Sequence, residues 1–122
     1  MAAPRVREAP VVVVIGCDPR ASHRANEAMR IGLGIVAGEN EVVYVLRGAA
    51  AHLLDADTDD LVDGDDIAKF RANVRDLGIP FHVEDVAVPA DADWNADGHT
   101  VIRVSRQRIA ELVAGARRVL VF

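Results

Sequence analysis

The chain holds one thiol, Cys17, set where chemistry is easily staged. It follows the apolar run "VVVVIG" (Val11 to Gly16) and precedes a stretch with helical periodicity, which places it at a strand-to-helix junction. In an open parallel sheet, ligands gather beyond the carboxyl ends of the strands. Unpaired N–H groups at a helix start also lower a thiol pKa. These two features make Cys17 a candidate nucleophile or sulfur carrier. Asp18 opposes this, because a neighbouring negative charge disfavours the thiolate. The competing reading is a packed small hydrophobe, which is how most unpaired cysteines behave.

Other polar groups are expected on the same rim. Arg47 closes the second apolar run, "EVVYVL", and His52 follows in "AAAHLL". Glu84 and Asp85 lie in "FHVED", near the end of a third strand expected over Ile79–Val88. Together Arg47, His52, Glu84 and Asp85 form a candidate small-ligand or anion-binding set on the carboxyl edge of the sheet, beside Cys17.

Several better-known chemistries are excluded by spacing. Cys17 and Arg24 enclose six residues, one more than a C-x5-R phosphate cradle, and Pro19 removes one of the successive N–H groups such a loop needs. Gly16 stands alone, and the single lysine, Lys69, lies inside a helical pattern, so neither standard nucleotide loop is present. The acidic stretch "DADTDDLVDGDD" (Asp55 to Asp66) spaces its carboxylates like a calcium loop. It puts Asp60 where the sharp turn needs glycine, and the shorter Asp66 where a bidentate Glu belongs. It reads as a solvated loop. The histidines, His23, His52, His82 and His99, share no ligand spacing, and no Cys/His cluster suits zinc. No metal or cofactor is implied. Trp94, alone in a polar loop, has a packing role, on the core or against another subunit.

These residues must be positioned by alternating strands and helices. Apolar runs at 11–15, 41–46, 79–88 and 100–104, with a last one at 117–122, read as strands. The first helix buries Ala25, Ala28, Met29, Gly32 and Val36, with Asp18 or Ser22 as its cap. The next, over 66–77, presents Ile67, Phe70, Val74 and Leu77, and a last one follows Ser105. The alternation gives a three-layer α/β/α sandwich on a mainly parallel five-stranded sheet. Residues 1–10 are expected to be a flexible tail and 11–122 a single domain.

Half of the 122 residues are apolar (51%), 27% are charged, and the net charge is −5, which disfavours binding to nucleic acid. No run is long enough for a membrane span. A lone cysteine with no disulfide partner fits a reduced, cytoplasmic setting.

Three stretches resemble the DsrE/DsrF-like family of small sulfur-relay proteins. They are "RANEAMRIGLGIVAGENEVVYVLRGAAAHLL", "FRANVRDLGIPFHVEDV" and the ending "VIRVSRQRIAELVAGARRVLVF". The resemblance implies that family's fold, a homo-oligomer (trimer or hexamer) and a sulfur-relay partner protein. It also exposes a departure. Sulfur-carrying members hold their persulfide cysteine at the end of the third strand, and here that position falls on Glu84 or Asp85. A carboxylate bears no persulfide. Three roles are compatible with this pattern: a non-catalytic oligomer, a sulfur-transfer protein using Cys17, or a small-ligand module on the carboxyl edge.

Overall fold

Five β-branched residues in a row, Val11–Ile15, form β1, and all five are buried. β-Branched side chains fit a pleat covered on both sides. The other strands are β2 (Val42–Leu46), β3 (Phe81–Glu84), β4 (Val101–Val104) and β5 (Arg118–Val121). They form a five-stranded sheet of order β4-β3-β2-β1-β5, with β1 flanked by β2 and β5. Every pairing is parallel, so the expected "mainly parallel" sheet is entirely so. The structure, a computed structural model, describes residues 9–122. The expected tail lies outside the described residues except for Ala9 and Pro10, and the Pro10 carbonyl accepts the Arg117 N–H at 2.9 Å.

The two faces of the sheet bury different partners. Val11, Val13, Ile15, Tyr44, Leu46, Phe81 and Val83 pack under α1 (Arg24–Ala37), α2 (Gly64–Asp76) and the 3₁₀ segment Gly48–Leu54. Val12, Val14, Val45 and Val104 pack under Ile109 of α3 (Arg106–Ala114). Each fully buried aliphatic side chain stabilises the fold by roughly 1.5–3 kcal/mol. α1 lies close to the sheet because Gly32 has no side chain. A Cβ there would fall within the Tyr44 ring, whose hydroxyl donates to the Met29 carbonyl at 2.9 Å.

Some boundaries differ from the sequence expectation. β3 stops at Glu84, and Asp85–Ala87 forms a 3₁₀ turn in place of a strand continuing to Val88. β4 offers only four residues for pairing, and its register ends with Glu84 opposite Val104. On α2 the buried stripe is Ile67, Arg71 and Val74, while Leu77 is 54% exposed. α1 starts at Arg24, whose N–H is met by Ser22 Oγ at 3.1 Å. Asp18 instead closes the preceding turn, its carbonyl accepting from Ala21 and Ser22.

Candidate functional site

The carboxyl edge of the sheet is knitted by short bonds between strand ends. The Arg47 N–H reaches the Ile15 carbonyl at 2.9 Å, and the Gly16 N–H reaches that of Phe122 at 2.8 Å. Gly48, at a φ of +53°, turns the chain out of β2 in a conformation that glycine adopts without strain. Its N–H then donates to Glu84 Oε1 at 3.1 Å. The ends of β1, β2 and β3 are thus tied side by side.

Glu84 is the unusual member. It is only 6% exposed, and its second oxygen, Oε2, is buried with no hydrogen-bond partner among the described residues. A buried polar atom left unpaired costs about 1–3 kcal/mol, and more when charged. Glu84 lines a cavity of about 260 Å³ together with Asp85, Val86, Ser105 and Arg106. Ser105 Oγ caps α3 by accepting the Arg108 N–H at 3.0 Å, and the first intrahelical bond runs from the Ile109 N–H to the Ser105 carbonyl. The N–H groups of Arg106 and Gln107 precede that bond and belong to the unpaired helix start. Ser105, Arg106 and Val86 were not candidates from sequence. Ser105 was legible only as a cap, and nothing in a linear pattern sets β4 beside β3.

The other candidates sit on or near this rim in different states. Asp85 is exposed and heads the 3₁₀ turn, while Arg47 is exposed beyond β2. His52 is half-buried, and its Nδ1 lies 2.9 Å from Asp55 Oδ2. Neither Arg47 nor His52 lines the Glu84 cavity.

Cys17 is half-buried, and its thiol pKa is pushed up, chiefly by burial. Its own main-chain N–H, Arg24 and Ser22 act in the opposite direction but do not overcome burial, and Asp18 adds a small further rise. The helix-start effect expected from sequence is therefore outweighed. Arg24 lies with its guanidinium 5.7 Å from the Phe122 ring centre, a cation–π contact. Asp18 is engaged by Arg20 Nε and NH2, each at 2.9 Å.

The remaining polar groups are structural. The acidic loop borders an open cavity of about 390 Å³, yet among the described residues no three His, Cys, Asp or Glu side chains converge as a metal site would require. Trp94 anchors its loop to the 3₁₀ segment, Nε1 donating to the Ala51 carbonyl at 2.7 Å. Arg71, which sequence did not single out, is 3% exposed. Its NH1 donates to the carbonyls of Leu53 at 2.9 Å and Asp55 at 2.6 Å, and its NH2 meets Asp97 at 3.3 Å. The 67–71–74 spacing does put Arg71 on the buried stripe; its charge hid it. His99 is buried against Arg75 and Arg71, and its pKa falls to about 4 through burial first and those two cations next.

No family model matches the chain, and no curated protein matches it in sequence. Among solved structures, the ychN protein from E. coli superposes with a TM-score of 0.73 at 14% identity, over 93% of this chain and 99% of that one. The fold is DsrE/F-like. The fold implied by the resemblance in sequence is thus the observed one, and the likeness at this identity extends to the fold alone. Within this DsrE/F-like fold, no helix among the described residues is long and apolar enough to cross a membrane.

Proposed function

We propose that this protein is a small-ligand-binding module on a DsrE/F-like fold, acting as a homo-oligomer and not as a persulfide carrier. One observation carries the reading: the buried Glu84 carboxylate at the end of β3, with one oxygen held by Gly48 and the other unpaired, in the wall of a cavity at the carboxyl edge. Proteins retain such an arrangement where a ligand offsets its cost, and perturbed polar groups in clefts mark functional sites. Sulfur relay is disfavoured twice over. The third strand ends in a carboxylate, and burial keeps the Cys17 thiol protonated at neutral pH. Oligomerisation is supported by the apolar side chains that the two edge strands leave in solvent, Ile102 at 43% and Val121 at 69% exposure.

The test is an NMR screen of small-molecule mixtures against the full-length protein. Hits should move the amide resonances of Gly48, Asp85, Val86 and Arg106 together. Hits that map elsewhere, or a screen without hits, would reject the assignment. Light scattering should return a trimer or hexamer, and a monomer at tens of micromolar would remove the oligomer.

A further inference from the structure

The cavity beside Glu84 has two walls of opposite character. One carries Glu84 and Asp85; the other carries Arg106 and the start of α3. Glu84 Oε2 calls for a hydrogen-bond donor, and a cationic nitrogen is the strongest donor a carboxylate can meet. The oxygen is sealed from water as the side chain stands, but the terminal torsion of a Glu side chain is soft, so the carboxylate can turn towards the cavity it lines. Opposite it, the N–H groups of Arg106 and Gln107 and the Arg106 guanidinium call for an acceptor, and a helix start favours an anionic one.

A simple anion placed here would face two carboxylates, and a simple cation would face a guanidinium and the positive end of a helix. A divalent metal lacks a third ligand among the described residues. A ligand with one charge of each sign satisfies both walls. The volume of about 260 Å³ sits below the usual range for drug-sized ligands, and Val86 adds an apolar surface at the mouth.

We infer that this cavity takes a small zwitterion of the α-amino-acid type, its ammonium on the Glu84 carboxylate and its carboxylate at the start of α3 beside Arg106. The inference rests on the carboxyl-edge reading above and adds the chemical class of its ligand. Free amino acids and the amino-terminal residue of a peptide chain offer an ammonium alike, but only the free form carries the carboxylate within reach; the cavity is assigned to the free form.

The experiment titrates the isotope-labelled full-length protein with L-valine, butylamine, butyrate, L-valine amide and calcium chloride, following the amides of Gly48, Val86 and Arg106. L-Valine should bind at least about tenfold more tightly than any of the others, since each analogue forfeits a charge-assisted contact. Glu84→Gln should weaken L-valine about tenfold. Arg106→Gln, at an exposed position that folding does not depend on, should weaken L-valine and leave butylamine unchanged. Butylamine, butyrate or calcium binding at these amides as tightly as L-valine would overturn the zwitterion and leave the cavity as a site. L-Valine amide matching L-valine would give the cavity to a peptide amino terminus and overturn the free-ligand assignment. Silence towards L-valine, with screen hits moving the same amides, would overturn the zwitterion alone. No response to any probe, with the screen also silent, would overturn both readings.

Discussion

Gly32→Ala places a methyl group inside the Tyr44 ring. The added Cβ meets Oη, Cζ and Cε1 of Tyr44 well inside van der Waals contact, so either α1 or the ring must shift. Overpacking of a filled core costs about 1–3 kcal/mol. Displacing the ring also breaks the bond from Oη to the Met29 carbonyl and leaves a buried hydroxyl unpaired, about 1–3 kcal/mol more. Alanine gains about 1 kcal/mol of helix propensity over glycine. The net loss centres on about 3 kcal/mol. With an unfolding entropy of about 2.1 cal/mol/K per residue, that corresponds to a fall of about 12 °C in Tm for a chain of this size. The assay is urea denaturation and thermal melting at fixed protein concentration, in a double-mutant cycle with Tyr44→Leu. In the Tyr44→Leu background the methyl has room, so Gly32→Ala should be neutral or stabilising by up to about 1 kcal/mol. Additive effects of the two substitutions would refute the argument that the ring fixes the glycine. The contact also bears on the site, because Tyr44 packs at a ring-centre distance of 5.8 Å on Phe81, the first residue of the strand that Glu84 ends.

Three other outcomes are expected. Arg71→Met should lower stability by about 2–4 kcal/mol in urea denaturation, because the carbonyls of Leu53 and Asp55 lose a shared donor; a change within about 0.5 kcal/mol would show that water replaces the guanidinium. Cys17 should alkylate more slowly than a free thiol at neutral pH and gain no sulfur from a persulfide donor, followed by intact mass; rapid alkylation with stable sulfur uptake would restore the sulfur-transfer role. His99 titrates at about 4 in the folded protein against 6.5 as its ordinary value, so the folded state takes up this proton later than the unfolded chain as pH falls. The stability it contributes is complete above about pH 6.5 and lost progressively down to about pH 4. His99→Gln should flatten that part of the stability profile, and an unchanged slope would assign it to the carboxylates.

Much of the architecture was legible in the residues. The unbroken run Val11–Ile15 signals a strand covered on both faces, and the Ala/Gly stripe of α1 signals a helix that approaches the sheet closely, because both depend on local size and periodicity. Ser105 as the cap of α3 was equally readable, since a cap is a contact three residues long. The end of β3 was not: pairing with a four-residue β4 decides where the strand stops, and Glu84 meets its register partner only at Val104, across a long intervening loop.

The candidate site divides along the same line. Sequence alone determined that Glu84 stands at the end of a strand, that the chain carries a single thiol, and that strands and helices alternate. Only the tertiary structure decided that Glu84 is buried with one oxygen unpaired, that Gly48 holds the other, and that Ser105 and Arg106 share its cavity while Arg47 and His52 do not. The reason is physical. Periodicity reports which face of an element is apolar, whereas burial, hydrogen-bond satisfaction and the direction of a pKa shift depend on which distant segments come to rest against it.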